Sequence, residues 1–286
     1  MAEILKGAPV AEKLNGETAA KVAALVAAGV TPTLAIVRCG ENPSDMAYER
    51  GAVKRAEALG IAVKKYLLPE DVEKDKLKGV ISEINEDKAI HGVLLLRPLP
   101  VHLREFDDEI CNVLIPEKDM DGITHGSMAG VYSGKPLGYP PCTPRACMEI
   151  LDFYNIPCMG TDACVVGNGI VAGRPTTMML LEREATVAAT HIRTKDTASY
   201  ARRAELLISA AGCRNLITKD FVNENSIVID VGINAKPEGG ICGDVNFEEV
   251  EPIVKAITPV PGGVGSVTTA VLMSNVVDAA EKQSKK

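Results

Sequence analysis

Short apolar runs alternate with stretches of helical periodicity along most of this 286-residue chain. "TPTLAIVRCG" (31–40), "IAVKKYLLP" (61–69) and "IHGVLLLRPLP" (90–100) read as strands, with charged helical segments between them. Fully buried strands alternating with helices predict a parallel sheet covered by helices. The first such helix carries "DMAYERGAVKRAEALG" (45–60). Each residue turns about 100° around a helix, so Ala52 shares the face of Tyr48, with Ala56 and Leu59 following, while Lys54 points about 120° away. If Tyr48 lines a pocket, the side chain beside it is a methyl group.

Residues 116–144, "PEKDMDGITHGSMAGVYSGKPLGYPPCTP", interrupt the pattern. Their Pro, Gly and polar content predicts a long functional loop plus linker. "RACMEILDFYNI" (145–156) then reads as a helix. A second series follows: "DACVVGNGIVAGRPTTMMLLERE", "ATVAATHIRT", "AELLISAAG" and "SIVIDVGIN", closed by an amphipathic helix over 267–286. The fold class expected is α/β, with two α/β domains joined near residues 140–150 and a cleft between them.

Composition narrows the function. Hydrophobic residues make up 46% and charged residues 24%, as in a globular protein, and a net charge of -7 argues against nucleic acid as a partner. No apolar run approaches the ~20 residues of a membrane span. The N-terminus lacks a long apolar segment and reads as the start of the fold. Eight cysteines are scattered without a C-x-x-C pair, so reduced thiols and a cytoplasmic location are expected. The four histidines have no ligand spacing to a cysteine cluster, so no metal is expected. Aromatic residues are 3% of the chain, which leaves an aliphatic core.

"ACVVGNGIVAGRP" runs from a strand through Gly167, Gly169 and Gly173 into a helix. The spacing is one residue longer than the usual dinucleotide fingerprint. Such a turn presents backbone N–H groups at a helix N-terminus, where a pyrophosphate can sit; a turn that merely packs helix on sheet is the alternative. The next strand ends in His191, Ile192 and Arg193, without an acidic residue for the adenine ribose.

Several motifs occur in one order: "EKDMDGI", "PPCTP", the glycine turn, "THIRTKD", "VIDVGIN", "GDVNF" and "TPVPGGVGSVTTAVLM". Together they closely resemble the methylenetetrahydrofolate dehydrogenase/cyclohydrolase family over nearly the whole chain. The resemblance implies a folate-binding catalytic domain over 1–145, with helix 267–286 packing back on it. It implies a Rossmann-type NAD(P)-binding domain over 146–266, and a homodimer. Tyr48 should stack on the aminobenzoate ring of folate and Asp121 should hydrogen-bond the pterin edge, making these two the catalytic candidates. Leu96, Pro261, Gly262 and Gly263 should line the folate pocket. Gly167, Asn168, Gly169, Ile170, Val171, Gly173, His191, Ile192, Arg193, Ala211, Gly212, Gly232 and Ile233 should contact the dinucleotide.

The sequence departs from the family pattern where hydrolysis is carried out. The bifunctional pattern runs Tyr-x-x-x-Lys; Ala52 stands in the lysine's place, and Asp45 replaces a serine. The family's "VQLPLP" is "LLRPLP", so Leu96 replaces the glutamine that partners that lysine, and Arg97 replaces the next leucine. Two proton- and water-handling groups have become apolar, which points to a dehydrogenase with cyclohydrolase activity lost or very weak. The glycine turn departs too: "GRSxxVG" is "GNGIVAG", and the serine of "HSRT" is Ile192. In NADP-using relatives that arginine and serine bind the 2′-phosphate, so NAD is expected over NADP, with Arg193 as the cation that opposes this reading. The competing readings are a bifunctional NADP-dependent enzyme in which Lys54 serves, a non-catalytic folate-binding or regulatory protein, and a dehydrogenase for another small substrate.

Overall fold

The computed structural model describes residues 1–285. In chain order the elements are β1 (Glu3–Ile4), α1 (Gly7–Ala27), β2 (Thr33–Cys39), α2 (Pro43–Leu59), β3 (Ala62–Leu68), α3 (Lys74–Glu86), β4 (Gly92–Leu95), α4 (Asp107–Cys111), α5 (His125–Ser133) and α6 (Cys142–Phe153). They continue with β5 (Asp162–Val166), α7 (Gly173–Glu182), β6 (Thr186–Thr190), α8 (Thr197–Arg203), β7 (Leu206–Ser209), β8 (Ile227–Asp230), β9 (Asn234–Ala235), β10 (Ile241–Cys242), α9 (Phe247–Val250), β11 (Ala256–Ile257) and α10 (Gly265–Ser284). Two compact units result. One comprises Lys13–Cys142 with the chain from Thr269 onward, the other Met1–Glu12 with Thr143–Thr268.

The first unit is built on a three-stranded parallel sheet in the order β3-β2-β4. β2 and β4 are buried as expected, but β3 is an edge strand whose residues are exposed or half-buried. Ala35, Val37, Leu77, Ile81, Ile84 and Leu95 pack an aliphatic core between sheet and helices. α2 starts where Asn42 caps the Ser44 amide (2.9 Å) with Pro43 in the first turn, and ends at Gly60 in the left-handed region (φ 74).

Residues 116–144 are not one long loop. They hold a 3-10 turn at Pro116–Lys118 and the nine-residue helix α5. The Thr124 hydroxyl accepts from the Ser127 amide at the helix start, and Gly134 (φ 65) ends it. Low-propensity glycines hide this helix in the sequence because tight packing demands them. A Cβ on Gly126 would lie 2.2 Å from Pro116 Cγ, and one on Gly130 2.2 Å from the Leu137 carbonyl.

The second unit carries a six-stranded sheet, β1-β11-β8-β7-β5-β6, parallel at every ladder. Residues 1–12, grouped with the first lobe in the sequence reading, belong here instead. β1 pairs with β11, and the Gly7 amide donates to the Gly262 carbonyl (2.8 Å). A two-residue strand whose partner lies some 250 residues away leaves no local pattern to read. α6 also begins three residues earlier than the helix expected at 145–156, and ends earlier. No described helix is long and apolar enough to cross a membrane.

Candidate active site

In the first unit α2 buries Asp45, Glu49, Ala52 and Ala56 along one face. The two acidic residues are held there by charge. Glu49 accepts from Arg38 Nε of β2 (2.7 Å) and pairs with Lys65 of β3 (3.0 Å), and these partners keep its carboxyl below the usual range despite burial. Burial pushes the Asp45 carboxyl up, with Arg38 opposing. Tyr48 flanks this face half-buried, Ala52 is fully buried, and Lys54 is exposed, as the helical geometry requires. Leu96, just after β4, is 6% exposed.

Tyr48 and Asp121 lie within electrostatic reach of each other. Burial holds the Tyr48 hydroxyl well above its ordinary pKa, and Cys142 and Asp121 reinforce this. The Asp121 carboxylate accepts from the Cys142 backbone amide (3.0 Å). Burial pushes its pKa up; the Cys142 hydrogen bond and the Arg97 guanidinium pull it down. Arg97 is itself fixed by a two-point pair with Asp107. Gly122 (φ 64) turns the chain directly after Asp121; a Cβ there would meet Pro141 Cδ at 2.6 Å.

In the second unit the glycine turn leaves β5 beside the point where strand order reverses: β6 lies on one side of β5, β7 on the other. The three glycines have different reasons. Gly167 has φ 103, and a Cβ there would meet the Ala210 carbonyl at 2.2 Å. A Cβ on Gly173 would lie 1.9 Å from the Gly167 carbonyl. Gly169 packs against nothing: an added Cβ meets no atom within 4 Å, so the turn's outer face stands open at the N-terminus of α7. Asn168, Ile170, Val171, His191, Ile192, Arg193, Gly212 and Ile233 are exposed at the carboxyl ends of β5 to β8, with Ala211 half-buried and Gly232 buried.

Two buried carboxylates that sequence reasoning did not single out shape this edge. Asp244 accepts from the amides of Ala211 (2.8 Å), Gly212 (3.0 Å) and Cys213 (2.9 Å), and from the Asn234 side chain (2.9 Å). Asp230 accepts from the amides of Gly232 (2.9 Å), Asp244 (3.0 Å) and Val245 (3.0 Å). Its carboxyl is pushed up to about 6 by burial, with those amides opposing. The local trace in "VIDVGIN" and "GDVNF" is only an acid one or two residues from a glycine; the need for glycine comes from the other segment, since a Cβ on Gly232 or Gly243 would collide with Asp244 or Asp230.

Pro261, Gly262 and Gly263 belong to the second unit, whereas Tyr48, Leu96 and Asp121 belong to the first. A Cβ on Gly7 would lie 2.1 Å from the Gly263 carbonyl, so this turn docks on the start of α1. Among the described residues, no group of three or more His, Cys, Asp or Glu could hold a metal, and all eight cysteines are unbridged.

Residues 5–121 match the family model of the tetrahydrofolate dehydrogenase/cyclohydrolase catalytic domain, and residues 141–284 that of its NAD(P)-binding domain. The chain is 46% identical over 283 residues to the bifunctional protein FolD of Carboxydothermus hydrogenoformans, covering 98% of both. It is similar to the crystal structure of the bifunctional FolD methylenetetrahydrofolate dehydrogenase/cyclohydrolase from Campylobacter jejuni (39% identity, TM-score 0.95, 99% of both chains). It is also similar to the Trypanosoma brucei dehydrogenase-cyclohydrolase complexed with NADP cofactor and inhibitor (30% identity, TM-score 0.93, 100% of this chain and 99% of that one).

Proposed function

The chain belongs to the tetrahydrofolate dehydrogenase/cyclohydrolase family, and we propose that it oxidises 5,10-methylenetetrahydrofolate to the 5,10-methenyl form by hydride transfer to a nicotinamide dinucleotide. The observation that carries this reading is the Tyr48–Asp121 pair, a half-buried aromatic ring within electrostatic reach of a carboxylate fixed by the Cys142 amide. Tyr48 stacks on the aminobenzoate ring and Asp121 accepts from the pterin edge, which orients the methylene carbon. A bound dinucleotide supplies the hydride acceptor. Gly167, the open face at Gly169 and the first turn of α7 would hold its pyrophosphate, and Ile192 and Ile233 would border it. No side chain need exchange a proton in that step. Oxidation of methylenetetrahydrofolate with dinucleotide, followed as reduced nicotinamide, tests the reading; binding of both ligands without turnover would favour a non-catalytic protein.

On hydrolysis of the methenyl product, the residues support loss or great weakening. A buried methyl group at Ala52 and an apolar side chain at Leu96 offer neither base nor water partner. The relatives' description as bifunctional favours the second reading, a cyclohydrolase served by another group such as Lys54. Methenyltetrahydrofolate offered without dinucleotide separates the two. Decay at the buffer rate supports the dehydrogenase-only enzyme, and accelerated decay the bifunctional one.

For the cofactor, Asn168 and the exposed Ile192 support NAD, since neither offers a 2′-phosphate a cation or a hydroxyl donor. The NADP-bound trypanosomal relative favours NADP, with Arg193 as the cation on this edge. The ratio of kcat/KM for the two dinucleotides decides. The homodimer is a further part of the proposal, checked by light scattering of the purified chain.

A further inference from the structure

Asp121 follows a residue held from three directions. The Met120 side chain is wholly buried, and a Cβ on Gly92 would fall 2.5 Å from its Cγ and 3.2 Å from Val276 Cγ2. The Met120 amide donates to the Val93 carbonyl (3.3 Å). The Met120 carbonyl accepts from the Asn275 side-chain amide (2.9 Å) and from the Cys142 thiol (3.3 Å). Asn275 sits on α10, fully buried, 155 residues from its acceptor.

The Met120 carbonyl and the Asp121 amide share one planar peptide group. Fixing the carbonyl fixes that plane and the N–Cα bond of Asp121, and the Cys142 amide on the carboxylate sets the rotation that remains. Cys142 then holds both ends of the arrangement, with its thiol on the Met120 carbonyl and its amide on the Asp121 carboxylate. Asn275 is buried on a helix that also buries Val271, Leu272, Met273, Val276, Val277 and the polar Ser274, and a buried asparagine must satisfy its polar groups. A hydrophobic residue at 275 would suit the apolar packing alone.

We infer that Asn275 is a positioning residue, which orients the Asp121 carboxylate for the pterin through the Met120 carbonyl. This rests on the reading that Asp121 binds folate, so the test includes Asp121 itself. Asn275→Ala, Asp121→Asn and the double variant are compared for folate KM, kcat and dinucleotide affinity. The expected result is that Asn275→Ala lowers kcat/KM for folate about tenfold, the scale of one lost buried hydrogen bond. Dinucleotide affinity stays unchanged, and Asn275→Ala costs nothing further in the Asp121→Asn background. Equal losses in both backgrounds, or no loss in either, overturn the positioning role. If Asp121→Asn alone leaves folate kinetics unchanged, the assignment of Asp121 falls, and the inference with it. Should Asn275→Ala not fold, Asn275→Ser, which leaves room for water at the amide's place, enters the same cycle.

Discussion

Ala52 stands one turn beyond Tyr48 on α2, fully buried where the tyrosine is half-buried, so the position beside the ring carries no functional group. Lys54 is exposed. Ala52→Lys combined with Leu96→Gln should therefore raise hydrolysis of methenyltetrahydrofolate by about tenfold, short of the ~100-fold that well-placed acid–base groups supply at the least. Decay of the methenyl absorbance against a buffer blank measures it. Hydrolysis unchanged from the parent would mean that these two positions do not explain a loss.

The glycines of the turn should separate by readout. Gly173→Ala places a methyl 1.9 Å from the Gly167 carbonyl and should destabilise the protein by about 2 kcal/mol. Gly169→Ala meets nothing within the chain and should leave the thermal midpoint in place while weakening dinucleotide binding. Melting curves and dinucleotide titrations on both variants check this.

Arg97 lowers the pKa of Asp121 against the upward push of burial. Replacing it by leucine removes a cation, so the Asp121 pKa rises and the carboxylate is lost at a higher pH. The acid limb of folate kcat/KM should move to higher pH in Arg97→Leu. An unmoved limb would mean that the ionisation of Asp121 does not govern that limb.

Asp230 gives a pH dependence of stability. Its folded pKa is raised to about 6 from the ordinary 3.8. The stabilisation that goes with its protonated form is complete below about 3.8 and is lost as pH rises through about 6. Between those limits the stability of the parent relative to Asp230→Asn should fall by about 3 kcal/mol. Denaturant titrations of both proteins at pH 4 and pH 7 give the difference.

Helical periodicity alone put Ala52 beside Tyr48 and turned Lys54 away, because a helix face is fixed by 3.6 residues per turn whatever surrounds it. It could not tell that Asp45 and Glu49 are buried on that same helix. The burial of Glu49 depends on Arg38 and Lys65, which two neighbouring strands bring underneath, and Arg38 also acts on Asp45. The strand–glycine–helix turn was legible for a similar reason, since its apolar run and glycines are contiguous. The anchors Asp230 and Asp244 were not, because their partners come from segments that meet only when the sheet has formed.

The sequence by itself determined the α/β class, the alternation of the main strands and helices, the family, and the residues present at each candidate position. These follow from local periodicity, from turn chemistry and from motifs in a fixed order. Only the tertiary structure decided that β1 joins the six-stranded sheet, that α5 lies within the Pro- and Gly-rich stretch, and that Asn275 holds the peptide before Asp121. Each of these depends on contacts between distant segments: two-residue pairing, close glycine packing, and a hydrogen bond spanning 155 residues. Such contacts are set by the packing of the whole chain and leave no periodic trace in it.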